Sequence, residues 1–186
     1  MTLSAATGAR RSELLALRWD DLDLIRGLLT ISRGIVNGPD ALVEKDTKTH
    51  QARRVTLDSA TVAVLAAHRE RAEYRARLAQ VELSPGALLF SRDGLGEEPW
   101  YPDSITRRFH RLCERAGLEG VRLHDLRHYV ATQLLAAGVD VRTVAGRLGH
   151  RNAATTLNVY SPFLPEADRR AADVLADLLG AAADDA

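Results

Sequence analysis

Apolar residues recur at helical spacing from the start of the chain: Leu14, Leu15, Leu17 and Trp19 follow Ser12, and the pattern predicts a helix running to about Trp19. The period then shortens. Leu28 to Ser32 and Arg53 to Leu57 are alternating or β-branched runs, and the stretch between them, Gly34 to Lys48, is polar and turn-rich. A small antiparallel sheet of three strands is expected there. Ser59 is read as the cap of a long helix, rich in alanine and charge, that reaches about Gln80. Ser84-Pro85-Gly86 marks a turn, Ala87 to Phe90 a brief apolar run, and Asp93-Gly94 with Gly96 a loop. Beyond it, helices are predicted over Pro102 to Ala116, His124 to Ala137, Val141 to Leu148, Ala153 to Val159 and Glu166 to Leu179, separated by Gly117, Gly120, Gly138, Gly149 and Pro162. The fold class that follows is α+β, mainly α-helical with a small antiparallel three-stranded sheet. No internal repeat, low-complexity linker or second domain interrupts the pattern.

The 186 residues suffice for one domain with an adequate core. The single cysteine, Cys113, cannot form an internal disulfide, and no apolar run is long enough for a signal sequence or a membrane span. A soluble, cytoplasmic protein without a membrane partner is the expectation. The formal net charge is zero, so total charge does not point to nucleic acid. Its distribution is more informative: residues 104–151 hold nine arginines against four acids, while residues 163–186 hold two arginines against six acids. A basic stretch of this kind suits phosphate binding, although it is also a common way to solvate helix faces.

Chemistry enters with Leu123-His124-Asp125-Leu126-Arg127-His128. A histidine at i and an arginine at i+3 share one helix face, so both can reach a single phosphate. The pattern alone carries almost nothing, since His50 with Arg53 and His68 with Arg71 repeat it. The third copy differs in its company. Leu148-Gly149-His150 supplies a second histidine after a helix-ending glycine, and Tyr160 follows ten residues later on another short helix. Six histidines are present, but no spacing among them presents a metal triad, which leaves a metal-dependent hydrolase as the weakest reading.

Together with Thr7-Gly8-Ala9-Arg10-Arg11-Ser12-Glu13-Leu14, this constellation resembles the tyrosine site-specific recombinase, or phage integrase, family. Four separated motifs occur in the family's order over nearly the whole chain. The resemblance implies the family's DNA breaking and rejoining catalytic fold, with Arg10 as the first catalytic arginine, Glu13 as its acidic companion, then His124, Arg127, His150 and the nucleophile Tyr160. Asp46-Thr47-Lys48-Thr49, ahead of Arg53-Arg54-Val55, is similar to the hairpin that carries the catalytic lysine and points to Lys48. By the same token the expected activity is metal-independent DNA strand transfer through a 3′-phosphotyrosyl link, with no cofactor. Double-stranded DNA is the expected partner, with a tetramer on paired sites for a full-length protein and a monomer for this chain, of bacterial or phage origin. Two alternatives share part of the pattern: a type IB topoisomerase-like enzyme that religates the same strand, and a non-catalytic DNA-binding remnant.

The sequence departs from the family in two places. Pro162 stands where many members have a histidine, outside the catalytic set. The chain also starts almost at the first motif, so residues 1–186 are read as a single catalytic domain truncated at its N-terminus, with the core-binding domain absent. The nine residues before Arg10 are judged too few for the helix expected beneath that motif, and weak DNA binding with little or no recombination by the chain alone is the corollary. Arg11, Arg18, Arg53, Arg54, His68, His110 and His128 are assigned ordinary structural or surface roles, with a phosphate contact left open for Arg53 and Arg54.

Overall fold

The computed structural model describes residues 1–46, 52–150, 152, 154, 156–157, 168–169 and 172–176. Its helices are α1 (Thr2–Thr7), α2 (Arg11–Ala16), α3 (Ser59–Leu78), α4 (Pro102–Arg115), α5 (Leu123–Ala136) and α6 (Val141–Leu148). Strands β1 (Leu22–Asp23), β2 (Leu28–Ile31), β3 (Arg33–Asn37), β4 (Leu42–Asp46) and β5 (Arg53–Thr56) lie between α2 and α3. The mainly helical α+β class agrees with the sequence pattern. No helix among the described residues is long and apolar enough to cross a membrane.

Four local expectations need correction. The opening helix is broken: Gly8 adopts a left-handed conformation (φ 62°) and Arg10 is extended, so α1 and α2 are separate elements. A Cβ at Gly8 would also lie 2.5 Å from Leu148 Cδ2, so the buried Leu148 side chain would have to shift to admit one. Second, the residues ahead of Arg10 do form a helix, since α1 packs on α5. Third, the region read as a turn-rich connection contains a hairpin. β2 is central in a three-stranded antiparallel sheet of order β1-β2-β5, and β3 pairs with β4 in a separate two-stranded one. Ile35 and Val36, opposite Glu44 and Val43, supply the strand-forming residues, and Gly38-Pro39-Asp40 the turn. Finally, α3 is capped by Asp58, whose carboxylate accepts from the Thr61 backbone N–H at 2.9 Å, with Ser59 already inside the helix.

The core is divided into patches that fix the elements bearing the candidate site. Leu29, Ile31 and Val55 of the sheet bury against Leu65 and Ala72 of α3, with Leu17, Trp19 and Leu22 completing the largest cluster. Leu15 and Ala16 of α2 pack on Ile35 of β3. Val130 and Ala131 of α5 meet Val144 and Leu148 of α6, and Phe109 and Cys113 of α4 meet Leu123 of α5. His68 sits between the rings of Trp19 and Phe90, and its Nε2 bonds the Leu89 carbonyl at 2.7 Å. The histidine of the second His-x-x-Arg copy is therefore a half-buried residue packed against the core.

Candidate active site

Two glycine-broken corners meet: Gly8 to Arg10 between α1 and α2, and Gly149-His150 after α6. Arg127, at 4% exposure on α5, donates from Nη1 to the Gly8 carbonyl at 2.8 Å. Arg10 reaches the other way, from Nη2 to the Gly149 carbonyl at 3.2 Å. Each arginine thus ties one sequence motif to the other across more than a hundred residues. Arg147 braces the same junction through Nη2 to the carbonyls of Ala6 and Thr56.

Arg10 is the N-cap residue of α2, and Glu13, three residues on, reaches back to it. One carboxylate oxygen accepts the Arg10 backbone N–H at 2.7 Å, and the other accepts Arg10 Nη1 at 2.8 Å. The same two oxygens accept Arg53 Nη2 at 2.7 Å and Nη1 at 3.0 Å. Glu13 is 3% exposed. Burial alone would push its carboxyl up, but the paired Arg53 guanidinium and the Arg10 bonds outweigh that and hold it below the usual range. The carboxylate is a fixed anion that aims Arg10.

Arg53 is the functional side chain that sequence reasoning missed. Its signal was the period of its own strand. Val55 and Leu57 are core residues, so Arg53 shares their inward parity while Arg54 and Thr56 face solvent. Besides Glu13, it donates from Nε to the Arg147 carbonyl at 2.9 Å. Gly149, left-handed at φ 69°, leaves the room it needs, because a Cβ there would lie 2.7 Å from Arg53 Nη1. The phosphate contact left open for Arg53 is thus replaced by a bidentate bond to Glu13, and the first His-x-x-Arg copy is accounted for.

The two histidines stand in the field of these arginines. His124 is held below its ordinary value, first by desolvation and then by the charges of His128, Arg127 and Arg10. Its ring meets that of His128 edge-on, with centroids 4.8 Å apart. His150 is pushed down to about 4, by burial and then by Arg127, Arg10 and Arg53. Its Nδ1 bonds the buried hydroxyl of Thr156 at 2.7 Å. At neutral pH both imidazoles are neutral: each has one N–H to donate and one lone pair to accept a proton. Arg10, Glu13, His124, Arg127 and His150, chosen from separate motifs, come together in one cationic cluster. Lys48 and Tyr160 lie outside the described residues. Lys45 is in β4, opposite Gly34.

The chain belongs to the phage integrase family, whose pattern it matches over residues 1–164. It is similar to the ICEBs1 integrase of Bacillus subtilis (strain 168), with 29% identity over 180 residues that cover 96% of this chain and 48% of that protein. The crystal structure of the XerH site-specific recombinase bound to difH substrate, in a pre-cleavage complex, is 26% identical with a TM-score of 0.62, covering 89% of this chain and 42% of that one. The fold is also that of the Tn1549 transposon integrase in complex with transposon right end DNA, at a TM-score of 0.76 and 21% identity, covering 94% of this chain and 57% of that one. The chain spans about half the length of the curated relatives it matches.

Proposed function

We propose that this chain is the catalytic unit of a site-specific DNA recombinase that cleaves and rejoins double-stranded DNA through a tyrosyl-phosphate link. The observation that carries the reading is the convergence of Arg10, His124, Arg127 and His150, with both histidines neutral among fixed guanidiniums. A cluster of donors of this kind suits one ligand class, a phosphate diester, and the neighbouring Asp125 carboxylate is engaged by Arg122 at 3.2 Å. Glu13, the acid within it, is already saturated by arginine. The names of the ICEBs1 and XerH relatives support the same class of activity.

In the proposed reaction the Tyr160 phenolic oxygen attacks the scissile phosphorus, a P–O bond to tyrosine forms and the P–O5′ bond breaks. A free phenol has a pKa of about 10, so only roughly one in a thousand is ionised at neutral pH. His124, neutral and exposed, is the acceptor for that proton. Arg10 and Arg127 hold the non-bridging oxygens as charge builds on them, and His150 adds a third donor. The departing 5′ oxygen takes a proton from Lys48. A second 5′ hydroxyl then reverses the sequence, because the phosphotyrosyl link retains the energy of the diester. Assembly on paired DNA sites, in the cytoplasm, belongs to the same reading for the longer protein.

The test is a nicked suicide duplex, whose short 5′ fragment diffuses away after cleavage. The 186-residue chain is expected to accumulate a covalent adduct at the 3′ phosphate. DNA binding without any adduct would identify a non-catalytic remnant instead. The proton donor has its own test. With sulfur in place of the bridging 5′ oxygen, the leaving group no longer needs a proton, so Lys48→Ala is expected to cleave that substrate at close to the wild-type rate while failing on the oxygen substrate. Rescue of Lys45→Ala in place of Lys48→Ala would show that the other lysine supplies the proton.

A further inference from the structure

We propose that Thr156 is a positioning residue whose hydroxyl donates to Nδ1 of His150 and fixes the imidazole in the tautomer that offers Nε2–H to the scissile phosphate. The bond to phosphate rests on the function proposed above; the tautomer does not.

Thr156 is completely buried, at 0% exposure, and its Oγ1 lies 2.7 Å from Nδ1. A hydroxyl has one proton to give and two lone pairs to receive with, while a neutral imidazole has one nitrogen of each kind. Among the described residues, Nδ1 is the one hydrogen-bond partner of Thr156 Oγ1. If Nδ1 carried the proton, the hydroxyl would accept it and its own hydrogen would be buried with no acceptor, the costly arrangement. If Nδ1 is the bare nitrogen, the hydroxyl hydrogen is satisfied and the ring proton must sit on Nε2.

The surroundings make the choice consequential. The groups facing His150 are Arg127 and His128 from α5, Arg10 from the N-cap of α2 and Arg53 from β5, and each disfavours a second ring proton. With the ring kept neutral, its outer nitrogen either donates or accepts, never both. An accepting nitrogen would repel an anion already held by two guanidiniums; a donating one completes the set of donors. Thr156 decides between the two, although it touches no substrate itself.

The experiment measures the tautomer directly, by long-range proton–nitrogen correlation NMR of the histidine ring in the full chain, alongside cleavage of the suicide duplex. In the wild type and in Thr156→Ser, Nδ1 is expected to show the shift of a bare nitrogen and Nε2 that of a protonated one. Thr156→Val, which keeps the shape but removes the hydroxyl, is expected to mix the tautomers. It should slow cleavage about 10- to 100-fold, in the range found for removing outer partners of a functional group. Loss of the bond to the bare nitrogen also raises the affinity of His150 for a proton, so the acid limb of the pH–rate profile should move to higher pH in Thr156→Val and stay in place in Thr156→Ser. A wild-type ring protonated on Nδ1 overturns the proposal whatever the variants do, including a Val variant that fails to fold. So does a folded Thr156→Val with the wild-type tautomer. The expected tautomer in a wild type that forms no adduct would instead overturn the functional reading.

Discussion

Tyr160→Phe is expected to abolish the covalent adduct, by more than ~10³-fold, while leaving DNA affinity within about twofold of wild type. The substitution removes one oxygen and keeps the aromatic ring. What disappears is the only atom that can bond to phosphorus in the proposed step. The chain has four tyrosines, and the other three are exposed surface residues: Tyr74 at 56%, Tyr101 at 49% and Tyr129 at 59%. Tyr74 is on α3 and Tyr101 precedes α4, elements that contribute no side chain to the cluster around His150. Tyr129 is on α5 but two residues from Arg127, which turns it well away from that residue's face. Peptide mapping of the adduct decides the matter. An adduct that survives Tyr160→Phe, or that maps to Tyr74, Tyr101 or Tyr129, would assign the nucleophile elsewhere.

The cluster was legible in the sequence through the order of its motifs and their resemblance to the phage integrase family, while spacing alone, as the repeated His-x-x-Arg pattern shows, carried little. Arg10 with Glu13 is a one-turn pair that also caps a helix, and His124 with Arg127 is a one-turn pair on another. The supporting residues were harder to read, each for a physical reason. Arg53 looks like any arginine of a basic chain until its strand parity is followed to Val55 and Leu57, and its partner Glu13 is forty residues away. Thr156 is recognisable only from its bond to His150, six residues earlier, which no sequence pattern marks. The β3–β4 hairpin was hidden by composition. Its second strand, Leu42–Asp46, is largely polar because it lies at the exposed edge of a two-stranded ribbon, so it lacks the alternation that marks a half-buried strand. The opening helix was over-extended because the spacing of Leu14, Leu15 and Leu17 was carried back through Thr7 to Arg10, where the left-handed Gly8 and the extended Arg10 break the chain.

Glu13→Ala is expected to be the most destabilising single change at the site, costing about 3–5 kcal/mol, because it strands a buried arginine. The loss is carried by Arg53, whose side chain is only 10% exposed; the pair with Arg10, at 34%, is screened by water and adds less. For a chain of this size the melting temperature should fall by roughly 6 to 20 °C. The pH dependence separates this residue from its neighbours. Glu13 titrates below its ordinary 4.5 in the folded state, so its contribution is present above 4.5 and is lost as pH falls through the folded value. His150 acts earlier. The unfolded chain takes up a proton near 6.5 while the folded ring resists until about 4, so stability drops across that interval, and His124, also lowered, contributes in the same direction. Acid denaturation of the wild type should therefore show two limbs, one between pH 6.5 and 4 from the histidines and one below 4.5 from Glu13. Glu13→Gln, which keeps the shape but not the charge, should be less stable near neutrality and should flatten the lower limb alone. Denaturant titrations at several pH values check this. A Glu13→Gln curve parallel to wild type throughout would show that the carboxylate is not held by Arg53 in solution.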